Sequence, residues 1–258
     1  MIINFPILLL VLSFVAFVLS VMIGDALRRR TEASSERGPD DFGVVLTATL
    51  TLLGLIIGFS FSMATSRYDL RRSNELIETN AIATQYVRSD LLPAAEATRA
   101  RELLKEYLDR RITYYTTRNE KQLAEIAGET AQVQTALWSV IRTAIPSVPP
   151  PLEGLVVSGL NDIANSERST RAAWENRIPF SAWILIAAIS LGCNVMLGFR
   201  AHRRDWLVFL VLPAAVSVSL FLIADLDSPR GGVIRVAPQN LIGLSHSLPA
   251  QLASKPRD

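Results

Sequence analysis

Four stretches of the chain carry no charged side chain: residues 1–24, 42–66, 178–199 and 206–224. They are 24, 25, 22 and 19 residues long, and a bilayer-spanning helix needs about 20 predominantly apolar residues. Each predicts a transmembrane helix, over about 2–23, 43–65, 179–199 and 206–223. The second continues into Arg67, Tyr68, Asp69, Leu70, Arg71 and Arg72 with no Gly or Pro between, so one helix is expected to run on to about residue 92. In that extension Leu70, Ile77, Ala81, Thr84, Val87 and Leu91 fall 7, 4, 3, 3 and 4 apart, which marks one helical face. Pro93 opens the next helix, where proline is tolerated in a first turn.

Two further stripes at helical spacing follow: Leu104, Leu108, Ile112 and Tyr115, then Leu123, Ile126, Val133, Leu137, Val140 and Ile141. Pro146, Pro149, Pro150 and Pro151 form a hard stop. A last helix, carrying Leu152, Leu155, Val156, Leu160 and Ile163, leads towards the third span. No strand pattern stands out. The expected fold is all-α: four transmembrane helices with an extramembrane helical bundle between the second and third. Residues 1–66 hold the first two spans and a polar linker, 67–177 the bundle, 178–224 a transmembrane hairpin, and 225–258 a polar tail expected to end disordered at 255–258.

Composition agrees with a multi-pass protein of the cell membrane, whose first partner is the lipid bilayer. Half of the 258 residues are hydrophobic and 19% charged, with a mean hydropathy of +0.29. Soluble domains carry about 25% charged residues. The 26 basic and 24 acidic residues are well mixed, so no concentrated basic face exists for a nucleic acid. A single cysteine, Cys193, lies in the third apolar stretch, which excludes an intramolecular disulfide and a cysteine metal cluster. The first stretch lacks a positive n-region and is too long for a signal-peptide core, so it reads as a retained anchor.

Short-loop arginines bear on orientation. Arg28, Arg29, Arg30 and Arg37 follow the first span, and Arg200, Arg203 and Arg204 fill the hairpin loop. These place both loops in the cytoplasm and the bundle outside. Arg67, Arg71 and Arg72, with Arg168, Arg171 and Arg177, point the other way. Both orientations stay open.

Candidate function concentrates on the second span. Thr47, Thr51, Gly54, Gly58, Ser62 and Thr65 recur at spacings of 4, 3, 4, 4 and 3, all small or weakly polar. Such a face either lets another helix pack closely or lines a water-filled ion path in an oligomer, since one four-span chain is too thin to enclose a path. Where the helix leaves the membrane, Arg67, Tyr68, Arg71, Arg72, Glu75 and Glu78 form either an interfacial anchor or a charged vestibule, with Arg71 and Glu75 spaced to pair. Asn80, Thr84 and Arg88 share a stripe beside Asp90 and read as a polar network inside the bundle. Asp225, Asp227 and Arg230 make a charged turn after the fourth span, placed to pair with the arginines after the second. Asn194 is expected to hydrogen-bond within the helix packing. No phosphate loop, metal signature, nucleophile elbow or catalytic carboxylate pair is present, so neither an enzyme nor a cofactor is expected.

Several of these segments carry a resemblance. Gly58-Phe59-Ser60-Phe61-Ser62-Met63 with Arg67-Tyr68, then Asn80-Ala81-Ile82 and Arg88-Ser89-Asp90-Leu91-Leu92-Pro93, resemble the bacterial bestrophin-like membrane proteins. Asp225-Leu226-Asp227-Ser228-Pro229-Arg230-Gly231 is similar to that family's second signature. Bestrophins themselves are pentameric ion channels with four spans per subunit and a large helical portion between the second and third. The resemblance therefore implies a homo-oligomer that conducts ions, with that helical portion in the cytoplasm, against the short-loop count. A membrane-anchored sensor or scaffold, whose bundle binds another protein, is the alternative.

Overall fold

The computed structural model describes residues 5–32, 40–200 and 206–253. Among these residues there is no strand. The helices are α1 (Pro6–Glu32), α2 (Asp40–Arg88), α3 (Ala94–Thr116), α4 (Glu120–Ala144), α5 (Pro150–Glu175), α6 (Phe180–Arg200), α7 (Trp206–Asp227) and α8 (Gln239–Ala253). They form two compact units, one of Met1–Tyr68 with Arg177–Arg235 and the other of Asp69–Asn176 with Val236–Asp258. Among the described residues, four helical stretches are long and apolar enough to cross a membrane: Pro6–Arg30, and parts of Gly43–Leu91, Pro150–Arg200 and Phe209–Asp227.

In the first unit α1, α6, α7 and the opening part of α2 pack around Phe17, Leu53, Trp183, Ile186, Cys193, Leu220 and Ile223. α1 and α6 approach to backbone contact. A Cβ built on Gly24 would stand 2.0 Å from the Val195 carbonyl oxygen, and one on Gly198 2.0 Å from that of Val21. Small residues permit this in lipid, where attraction between helices comes from close packing rather than water exclusion. Asn194 is fully buried and donates from Nδ2 to the Ser190 carbonyl of its own helix at 2.8 Å, rather than to a neighbouring helix. α1 also runs further than its apolar stretch, through Arg28, Arg29 and Arg30, because Asp25 bonds Arg28 and Arg29 at the i+3 and i+4 positions. The hairpin loop 201–205 and the expected disordered end at 255–258 lie outside the described residues.

The second unit holds the rest of α2 with α3, α4, α5 and α8. Pro93 precedes α3, the Asn119 side chain caps α4 by accepting from Lys121 N at 2.9 Å, and Pro150 and Pro151 open α5. Its apolar core includes Ile82, Leu104, Tyr107, Leu108, Leu137, Ile141 and Ile163. Gly159 on α5 lies close against α2: a Cβ there would stand 1.8 Å from Gln85 Oε1, so that side chain would have to move.

Two expectations are corrected here. The α2 face of Leu70, Ile77 and Val87 points outwards, with exposures of 48%, 51% and 61%. The buried stripe is instead Arg71, Glu75, Glu78, Ile82, Gln85 and Ser89, spaced 4, 3, 4, 3 and 4. The Arg111 guanidinium of α3, the Thr170 hydroxyl of α5 and the Asn240 and Leu241 N–H groups of α8 meet this stripe with hydrogen-bond donors. The segment 225–258 is also more than a polar tail, because α8 forms in it and buries Leu241 and Leu248.

Candidate functional site

The small-residue face of α2 is open in the first unit. Thr47, Thr51, Gly54, Gly58 and Ser62 are all exposed, while Leu46, Leu53, Ser60 and Ala64 face the core. A Cβ added to Gly54 or Gly58 would meet no described atom within 4 Å. The face is therefore not consumed by packing within the chain. Thr47 Oγ1 donates to the Gly43 carbonyl at 2.9 Å, Thr51 Oγ1 to that of Thr47 at 2.9 Å, and Thr65 Oγ1 to that of Phe61 at 3.0 Å. With their protons committed to the helix, these hydroxyls present lone pairs outwards.

The charged candidates divide into separate arrangements. In the first unit Arg67 Nη1 lies 3.7 Å from Asp227 Oδ1, the pairing the sequence suggested. The same Asp227 oxygen accepts the Ile178 backbone N–H at 3.0 Å, which ties the start of the third span to the end of the fourth. Asp225 accepts the N–H groups of Val233 and Ile234 at 2.6 and 2.7 Å, folding the chain back after α7. A Cβ on Gly232 would stand 2.6 Å from the Asp225 carbonyl, so the turn needs glycine there. Arg230 is half-buried in the same turn. Both aspartates are fully buried and serve the backbone.

In the second unit Glu78 is the centre of a buried network. It accepts from Arg111 Nε and Nη2, from Tyr115 Oη at 3.2 Å and from Thr170 Oγ1 at 3.1 Å, with Glu167 Oε1 3.9 Å from Arg111 Nη1. The Arg111 guanidinium also lies 4.4 Å from the centre of the Tyr114 ring. Burial alone disfavours charge on Arg111, but the Glu78 carboxylate overcomes this and raises its pKa above the ordinary value. Burial, then the negative Glu78, pushes the Tyr107 and Tyr115 phenols up. Both phenols stay neutral near neutral pH, Tyr115 donating to Glu78 and Tyr107 accepting from Gln134 Nε2 at 3.4 Å.

Glu75, one turn earlier, accepts the N–H groups of Asn240 and Leu241 at 3.0 Å each, and the Asn240 side-chain amide. A carboxylate at a helix N-terminus satisfies donors that have no intrahelical partner, so Glu75 caps α8 from another helix. Arg71 is buried nearby on the same stripe. Asp90 pairs with Arg101, and Arg88 Nη1 lies 3.7 Å from Asp162. Asn80, Thr84 and Arg88 line an open groove of about 480 Å³ between α2 and α5, rather than a network inside the bundle, because they sit on the outward side of α2. No metal-ligating cluster occurs among the described residues.

The sequence reading missed Arg111, Tyr107, Glu167, Thr170 and Asn240. A signal existed for three of them. Arg111 falls in register with Leu104, Leu108 and Tyr115, and Glu167 and Thr170 continue the stripe of Val156, Leu160 and Ile163. Polar residues at core positions of two helices announce a buried pairing.

A family model described as Bestrophin-like domain matches residues 11–241. The chain belongs to the Bestrophin-like domain family. The match covers both units, from α1 to the first turn of α8. Crystal structures of single-site variants of a bacterial bestrophin homologue from Klebsiella pneumoniae share the fold. One is 15% identical over 95% of this chain and 99% of that one, with a TM-score of 0.71. Another is 14% identical over 97% and 99%, with a TM-score of 0.69. A crystal structure described as a membrane protein gives a TM-score of 0.71 at 14% identity over 96% and 99%. No relative among the curated proteins matches.

Proposed function

We propose that the protein is an oligomeric ion channel of the cell membrane in which α2 lines the path. The observation that carries the reading is the open small-residue face from Thr47 to Ser62, with room at Gly54 and Gly58 and hydroxyl lone pairs turned outwards. Hydroxyl and backbone oxygens of this kind replace water around a passing ion. The outward Leu70, Leu76, Ile77 and Val87 support assembly, because further copies of the chain would remove this apolar surface from water. Membership of the Bestrophin-like domain family agrees, as bestrophins are oligomeric channels.

The test combines the single-particle mass of the protein in nanodiscs with ion flux from reconstituted vesicles. A closed ring of several subunits, with flux reduced by a water-soluble thiol reagent at Thr51→Cys, Gly58→Cys or Ser62→Cys, is expected. Cys193 is buried, so the native background is quiet. A monomeric mass with those cysteines unreactive would sink the channel and leave the anchored scaffold, whose bundle binds another protein.

A further inference from the structure

The open groove between α2 and α5 in the second unit has a polar pairing at each end. At one end Asn74 Nδ2 donates to the Ser169 carbonyl at 3.3 Å; at the other Arg88 Nη1 stands 3.7 Å from Asp162 Oδ2. The second pairing is incomplete. That separation is beyond hydrogen-bond reach, and Nη1 is buried with no hydrogen-bond partner among the described residues. Gly159 leaves the guanidinium its place against α5, since a Cβ there would stand 3.0 Å from Nη1. Beside the same glycine the fully buried Gln85 carboxamide leaves both Oε1 and Nε2 unpaired among the described residues. Between the two ends the lining is uncharged. Asn80, Thr84 and Asn165 are exposed there and commit no side-chain hydrogen bond to another described residue. Thr79, by contrast, returns its proton to the Glu75 carbonyl at 2.8 Å.

We propose that the Arg88 end of this groove binds a small α-amino acid as its zwitterion, carboxylate on Arg88, ammonium on Asp162 and a polar side chain towards Thr84 and Asn165. The lining carries one cation and one anion, so it offers no net attraction to a simple anion or cation. Asp162 repels a lone carboxylate, and Arg88 a lone ammonium. A zwitterion satisfies both, because its two charged groups sit on one carbon and can straddle a loose pair 3.7 Å apart. Thr84 lies one turn before Arg88, and Asn165 three residues after Asp162. Both therefore stand about 5–6 Å from the charged end, the reach of a short side chain ending in an amide or hydroxyl. No aromatic side chain lines the groove to stack a base or a sugar ring. Its volume of about 480 Å³ falls in the range of small-molecule sites.

The experiment is saturation-transfer NMR of L-asparagine against the full chain in nanodiscs, with empty nanodiscs as the blank. Two analogues each lack one charge: succinamic acid has no ammonium and β-alaninamide has no carboxylate. The groove is open and the Asp162 side chain 55% exposed, so asparagine should bind with a Kd of about 1 mM. Each analogue should bind at least about tenfold more weakly, having lost a charge-assisted hydrogen bond. Asp162→Asn, at an exposed position, should weaken asparagine to the same extent while succinamic acid binds no worse than before. A merely structural role would not reverse that preference. Arg88→Gln should weaken asparagine and leave β-alaninamide unchanged, and Arg88→Lys should keep the preference for the zwitterion. The analogue series uses the unaltered chain, so the idea stays testable if the Arg88 variants fail to fold. No asparagine signal up to about 10 mM overturns the proposal, whether the groove is empty or covered by a second copy. So does equal binding of all three compounds, or asparagine affinity unchanged by both Asp162→Asn and Arg88→Gln. None of these readouts depends on ion flux, so failure here leaves the channel reading untouched.

Discussion

Removing the Glu78 carboxylate is expected to cost the second unit about 5 kcal/mol. The pair it forms with Arg111 is buried on both sides, at 0% and 1% side-chain exposure. Breaking such a pair leaves a charge without its partner in a poorly solvated place, at about 3–5 kcal/mol. Glu167 at 3.9 Å and the Tyr114 ring at 4.4 Å partly compensate Arg111, which argues for the lower end of that range. The Tyr115 and Thr170 hydroxyls then lose their acceptor, adding about 1 kcal/mol each. Glu78→Ala should lower the melting temperature by about 10–20 °C, from about 2–4 °C per kcal/mol for a chain of this size. Tryptophan emission suits the assay, since Trp174 lies 5.3 Å from Tyr115 and reports the site directly. A double variant, Glu78→Leu with Arg111→Met, should recover most of the loss, because removing both charges leaves nothing unpaired. A single variant melting within about 2 °C of wild type, or a double variant no better than the single, would refute the reasoning.

Three further outcomes follow from the geometry. Tyr107 and Tyr115 have pKa values raised above the ordinary 10, so their contribution to stability is complete below pH 10. It is lost as the unfolded chain ionises above pH 10, at up to about 2.7 kcal/mol per pH unit for two phenols; an absorbance titration at alkaline pH in which every phenol ionises before unfolding would contradict it. Gly24→Leu or Gly198→Leu should separate α1 from α6 and cost about 1–3 kcal/mol, read as heat-induced loss of the size-exclusion peak, whereas Gly54→Ala and Gly58→Ala should elute and melt like wild type. Glu75→Ala should release the start of α8 and lower the exchange protection of its amides at least about tenfold, since hydrogen bonds to a charged group contribute about 1.5–3 kcal/mol; unchanged protection at Asn240 and Leu241 would argue against the cap.

The four spans were legible because charge-free length is a one-dimensional signal that a bilayer reads in the same way. α2 as one helix was legible too, since nothing between Ser66 and Arg88 breaks it. Its rotation beyond the membrane was not. Leu70, Ile77 and Val87 look like a core face only if the core is apolar, and here α2 meets its neighbours through Glu75 and Glu78. A periodicity count registers where apolar residues recur but not what the opposing helix offers. Arg111 and Thr170, which decide the matter, lie 33 and 92 residues from Glu78. The α2 membrane face shows the converse case: spacing picked out the small residues, but only the three-dimensional packing reveals that they stay open.

The buried polar stripe of α2 also sets a timetable for biosynthesis. Glu78 leaves the ribosome well before Arg111, longer before Thr170, and Glu75 precedes Leu241 by 166 residues. At about 5–20 residues per second, the last interval is roughly 10–30 s. Throughout it, a helix extending from a freshly inserted span carries the Glu75 carboxylate, whose hydrogen-bond donors do not yet exist. The nascent chain must keep that side of α2 hydrated, or shielded by a chaperone or the insertion machinery, until α8 arrives to close it. Residues around Asn240 thus act as the finishing step of assembly, and nonsense truncations just upstream should be cleared by proteolysis even though all four spans have been made.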